Sequence, residues 1–114
     1  MIIRIFRIHV PAAHHEEFER GFQAILDAVK SYPGVVSVNI GLPTRGAPEE
    51  YAVISTWASV KYLEAFAGPN WEQPLMPAGM EKFASACWVH HYKVYSPPPP
   101  KQASQESLDP SRNS

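Results

Sequence analysis

Hydrophobic and polar residues along the chain follow two periods, and the switches between them mark the elements. Ile2 to Val10 alternates with period two: Ile3, Ile5, Arg7 and His9 share one face, and Ile2, Arg4, Phe6, Ile8 and Val10 the other. Both faces of this predicted strand are largely apolar, as expected of a strand covered on both sides. From Pro11 to Tyr32 the period becomes helical, with Phe18, Phe22, Ile25, Leu26 and Val29 in one stripe. Pro11 suits a helix start, Glu16 and Glu17 lie where the helix dipole favours negative charge, and Pro33-Gly34 ends the run. A second strand is predicted over Val35 to Leu42, and a loop rich in proline, glycine and charge over Pro43 to Glu50.

A third strand follows at Tyr51 to Trp57, then a helix from Val60 to Ala67 with Ser59 as its predicted N-cap. Gly68-Pro69-Asn70 breaks that helix. Asn70 suits the cap of a short turn at Trp71, and helical character returns from Pro77 to Ala84. The last strand spans Ser85 to Tyr95, with Ala86, Trp88, His90, Tyr92 and Val94 on one face and Cys87, Val89, His91, Lys93 and Tyr95 on the other. The order predicts an α+β, ferredoxin-like β-α-β-β-α-β domain over residues 1–95 with a four-stranded antiparallel sheet. Helices would cover one sheet face. The two-sided apolar strands predict that a second copy covers the other, giving a symmetric homodimer. Residues 96–114 carry one large aliphatic residue, Leu108, and no aromatic, so a disordered Pro/Ser-rich tail is expected, with polyproline II at Pro97 to Pro100.

Composition narrows the functional classes. Hydrophobic residues make up 45%, yet no apolar run reaches the roughly 20 residues of a membrane span. The opening MIIRIFRIHV is interrupted by Arg4, Arg7 and His9 and is not read as a signal peptide, so a cytoplasmic location is expected. The single cysteine, Cys87, excludes an intrachain disulfide and fits a reducing compartment. Net charge is −1 and no basic cluster exists, which argues against nucleic acid or an anionic membrane as partner. His14-His15 and His90-His91 are adjacent pairs whose side chains diverge, so neither is a natural metal chelate; His14 and His15 are expected to be solvated. No phosphate loop, dinucleotide fingerprint or nucleophile elbow is present, so no nucleotide cofactor is expected.

The remaining chemistry rests on polar and aromatic residues set in apolar strands. Arg7 and His9 share a face of the first strand, Asn39 lies on the second, Trp57 ends the third, and His90 and Tyr92 share a face of the fourth. Trp71 and Met76 come from the broken region after the second helix. Together these residues suit an apolar pocket with a few polar groups, made for a flat aromatic ligand. Each also has a structural reading. Arg7 can pair with a carboxylate across the sheet or a dimer interface, His9 and His90 can be hydrogen-bonded core or interface histidines, Trp57 and Trp88 core aromatics, and Cys87 a small buried apolar residue.

The stretch Glu50 to Phe66, EYAVISTWASVKYLEAF, is a strand ending in Trp57, then a small residue, Ser59 and a short amphipathic helix. It resembles the antibiotic biosynthesis monooxygenase (ABM) type of the dimeric α/β-barrel superfamily, and residues 1–95 match that family in length and element order. The resemblance implies a dimeric α/β barrel. It also implies oxygenation of a small phenolic or quinol substrate by molecular oxygen, with no flavin, haem or metal cofactor. Arg7 would then be the cation, His9 or His90 the base, Trp57 a stacking wall, and Asn39, Phe66, Trp71, Met76 and Tyr92 further substrate contacts. The haem-degrading branch places an Asn, a Trp and a His at positions corresponding here to Arg7, Phe66 and Met76, which argues against haem. The polyketide-oxygenating branch has an Asn where this chain has Val53. Two other readings fit the same fold: a non-catalytic dimeric module for a small hydrophobic ligand, and an isomerase of the muconolactone type.

Overall fold

The computed structural model describes residues 1–74 and 81–99. Strands β1 (Ile2–His9), β2 (Val35–Gly41), β3 (Glu50–Trp57) and β4 (Ala86–Lys93) form one sheet in the order β2-β3-β1-β4. All three pairings are antiparallel. Helices α1 (His15–Glu19), α2 (Phe22–Lys30) and α3 (Val60–Ala67) complete an α+β, ferredoxin-like domain. Among the described residues no helix is long and apolar enough to cross a membrane.

The period-two reading of β1 sets the architecture. Ile2, Arg4, Phe6 and Ile8 are buried, while Ile3, Ile5, Arg7 and His9 are half-buried. The first set faces the helices. Phe6, Ile8 and Val10 pack with Phe18, Tyr51, Phe83 and Val89; Ile2 packs with Val29, Val38, Trp57 and Leu63. The second set lies on the opposite face with Ile54, Trp88, His90 and Tyr92, and Tyr92 is 51% exposed.

The first helix differs from the continuous span expected from Pro11 to Tyr32. A short 3-10 turn at Ala12–His14 leads into α1, and α2 starts again after Gly21. At the join the backbone tightens: Arg20 N–H bonds to Glu17 O and Gly21 N–H to Phe18 O, each at 3.3 Å. Glycine is the poorest helix former after proline, and the break falls where the chain has one. His15 is not solvated as expected. Its Nε2–H donates to Val10 O at 2.7 Å and its ring meets the edge of Tyr51.

Ser59 occupies the N-cap position of α3, but its hydroxyl makes no cap hydrogen bond; its carbonyl accepts from Leu63 N–H at 3.2 Å instead. The turn at Asn70 is closed through its main chain, by Gln73 N–H to Asn70 O at 2.9 Å. Gly34 admits no other residue. Its φ is +84°, and a Cβ there would collide with the Tyr62 side chain. This close approach seats α3 beside the start of β2. Residues 96–99 form no regular element. Of the helix expected from Pro77 to Ala84, residues 81–84 form a turn rather than helix; its part over 77–80, Met76 and the tail from residue 100 lie outside the described residues.

Candidate functional site

The antiparallel register places Arg4 of β1 between Ser55 of β3 and His91 of β4, all on the helix-covered face. Arg4 is 4% exposed. Its Nη1 donates to Trp71 O at 2.7 Å and to His91 Nε2 at 3.0 Å. A guanidinium can only donate, so His91 Nε2 must accept, and its proton sits on Nδ1. Burial, the Arg4 charge and the neighbouring His90 push the His91 pKa down to about 4. His91 is therefore neutral at pH 7. Burial also lowers the pKa of Arg4. The Trp71 ring stands edge-on to His91, centroids 4.8 Å apart, and joins the half-buried aromatic surface of Phe66 in the same core.

Trp57 adjoins this group through Ser55. It is fully buried, stacks on Phe66 at 5.0 Å, and its Nε1–H donates to Ser55 Oγ at 3.0 Å. Its only polar atom is thus committed to the protein, leaving the ring as a wall rather than a donor.

A second polar group occupies the other sheet face. Glu50 lies opposite His9 and binds it at 3.1 Å, while its second oxygen is 3.5 Å from Arg7 Nε. The His9 ring meets the edge of Trp88 at 5.1 Å. Beside them is an open cleft of about 470 Å³, lined by His9, Ala12 and the loop 46–50. Near the far end of the helix side, Tyr51 O–H donates to Glu19 Oε2 at 2.6 Å, and burial with that carboxylate raises the tyrosine pKa.

The residues read from sequence as one pocket are therefore divided by the sheet. Trp57, Phe66 and Trp71 are on the helix side. Arg7, His9, Asn39, His90 and Tyr92 are on the opposite face, and Met76 lies outside the described residues. Arg7 takes the carboxylate-paired alternative, with Glu50. Arg4, Ser55 and His91 were missed. The available signal was Arg4 itself, a charge alternating with Ile2, Phe6 and Ile8 on the face that contains the largest apolar residues of the strand. Among the described residues no three histidine, cysteine or acidic side chains cluster as metal ligands.

The model of the antibiotic biosynthesis monooxygenase family matches residues 1–68, from β1 through α3. Among solved structures, MhuD from Mycobacterium tuberculosis, a haem degrader with two haems bound, is 24% identical with a TM-score of 0.65, covering 87% of this chain and all (100%) of its own. A variant of MhuD with two manganese protoporphyrin IX molecules per active site is 25% identical with a TM-score of 0.66, over 88% of this chain and 100% of its own. A protein from Nitrosomonas europaea described as an antibiotic biosynthesis monooxygenase has a TM-score of 0.67 at 14% identity, over 84% of this chain and 100% of its own. No curated protein matches the chain. With the family match covering more than half its length and the fold shared with these structures, the chain belongs to the antibiotic biosynthesis monooxygenase family.

Proposed function

We propose that this protein is a monooxygenase that oxidises a small aromatic phenol or quinol with molecular oxygen, at the helix side of the sheet. The observation that carries the reading is the buried Arg4, set among Ser55, His91 and the aromatic residues Trp57, Phe66 and Trp71, within the family's fold.

Arg4 supplies the positive charge that favours the ionised, electron-rich form of the substrate. His91 is a poor proton store, because its conjugate acid is unstable beside Arg4. Its role is to accept from Nη1 and hold the guanidinium in one orientation. The aromatic walls exclude water and orient a flat ring. For an anthrone, whose enol form is a phenol, the reaction balances without a reductant: the ring methylene and one molecule of dioxygen give a ring carbonyl and one molecule of water. The methylene carbon loses four electrons and both hydrogens. One oxygen atom becomes the carbonyl, and the other leaves as water.

The opposite face completes the reading as a homodimer contact. Ile3, Ile5, Ile54 and Trp88 put apolar surface there, and a second copy would cover it. Arg7, His9 and His90 would then serve the interface rather than the chemistry.

The likeness to MhuD favours a second reading, degradation of haem as substrate. The described residues fit it poorly, because the Nε2 lone pair of the helix-face His91 is taken by Arg4. The test is oxygen uptake by chelator-treated protein with dihydroxynaphthalenes and anthrones, alongside a haem titration followed by its absorption band. The proposal predicts uptake above the spontaneous rate, reduced about tenfold or more in Arg4→Met and changed less than about twofold in Arg7→Ala. A folded protein that binds these ligands without uptake would be a binding module. Uptake lost in Arg7→Ala and retained in Arg4→Met would move the site to the other face.

A further inference from the structure

Arg4 brings a charge into the helix-side core, and among the described residues no carboxylate pairs with it. Both of its described partners, Trp71 O and His91 Nε2, are neutral, and both are reached from the same nitrogen, Nη1. The N–H groups on Nε and Nη2 have no protein acceptor among the described residues. Arg4 is 4% exposed, and a buried guanidinium is costly to keep unless it is paired.

The free edge has a particular shape. Nε–H and one Nη2–H are parallel donors in the guanidinium plane, along one edge, spaced for the two oxygens of a carboxylate. Ser55, directly opposite Arg4 in the register and 3% exposed, adds to the same polarity. Its Oγ accepts from Trp57 Nε1, and among the described residues nothing receives its O–H, so it has a donor to offer as well. Around Arg4 the described residues thus leave donors without an acceptor, with positive charge, against aromatic surface from Trp71 and Phe66.

We propose that Arg4 anchors an ionised carboxylate on the substrate, through its Nε–Nη2 edge, so that the protein takes aromatic hydroxy acids in preference to neutral phenols. This inference rests on the helix-side site proposed above and specifies the ligand for it. A lone phenolate oxygen would satisfy one donor of the fork; a carboxylate satisfies both.

The test compares 1-hydroxy-2-naphthoate with the near-isosteric 1-hydroxy-2-naphthamide, binding to the full chain at pH 7, by calorimetry and quenching of tryptophan emission. The acid is expected to bind at least about tenfold more tightly than the amide. Arg4→Met should bring the acid down to the affinity of the amide, and Arg4→Lys should recover only part of the difference, because lysine keeps the charge and loses the fork. Arg20→Gln, a change at an exposed ion pair on α1's C-terminal end, should leave the preference intact. Equal affinity for the two probes, binding of neither, or a preference that survives Arg4→Met overturns the proposal. The wild-type comparison stands even if an Arg4 variant fails to fold. Oxygen uptake with 1,4-dihydroxy-2-naphthoate and its carboxamide separates this inference from the reading beneath it. Preference for the acid in binding with no uptake keeps the carboxylate site and removes the monooxygenase; uptake with no preference does the reverse.

Discussion

Ser55→Ala removes one atom from a pair that has no access to water. Ser55 is 3% exposed and Trp57 0%, and Trp57 Nε1 donates to Ser55 Oγ at 3.0 Å. The substitution leaves the indole N–H without an acceptor, and a buried unsatisfied donor costs about 1–3 kcal/mol. For a domain of this size, a loss of about 2 kcal/mol lowers Tm by roughly 8–16 °C. The cost is chemical rather than volumetric, and a double-mutant cycle can show this. Trp57→Phe deletes the donor and also loses packing against Phe66 and Leu63. In the double variant the packing loss remains, but no orphaned N–H is left. The double variant should therefore be less destabilised than the sum of the singles, by about 1 kcal/mol. Urea denaturation followed by far-UV circular dichroism supplies all four free energies. A Ser55→Ala variant within about 0.5 kcal/mol of wild type, with additive singles, would refute the reasoning.

Three other outcomes follow from the same contacts. His91 is held down to about 4 while the unfolded histidine titrates near 6.5, so the unfolded chain binds more protons between these values. Stability should therefore fall as pH drops from about 6.5 to about 4, and His91→Phe should flatten that segment of the curve, measured by denaturation at stepped pH. Ile5→Lys puts a charge at the centre of the open face, opposite Ile54 and His90; if the proposed homodimer uses this face, sedimentation should show the wild type as a dimer and the variant as a monomer, with the circular dichroism spectrum unchanged. Glu50→Gln weakens contacts to two partly exposed side chains, Arg7 at 29% and His9 at 40%, so its cost should stay below about 1 kcal/mol and shrink in high salt.

Element order was legible because periodicity reports it directly. The alternation of Ile2 to Val10 located β1 within a residue, and the stripe from Phe18 to Val29 located the helical region, though not the 3-10 turn at Ala12–His14 that opens it. The break at Gly21 was less so: a single glycine in a good amphipathic stripe does not reveal how the backbone bonds around it. The site was harder still. Period two tells which residues of one strand share a face, and it correctly joined Arg7 to His9. It does not tell which face of β1 matches which face of β4, since that depends on register. His91 rather than His90 lies beside Arg4 because Arg4 pairs with His91 across the ladder. A shift by one residue would have exchanged the two histidines. Arg4 itself was passed over because it sits among Ile2, Phe6 and Ile8, where a charge looks out of place in a core and is easily read as a surface residue of a mixed strand.

The bond from Arg4 to Trp71 ends on a main-chain oxygen. Every amino acid carries that oxygen. As far as this bond is concerned, position 71 accepts any side chain while the contact from β1 endures, and the constraint the bond imposes falls on Arg4; the Trp71 ring answers to its separate contact with His91. Comparing relatives column by column would record an arginine without a covarying partner, though the partner had been there throughout, contributed by the backbone.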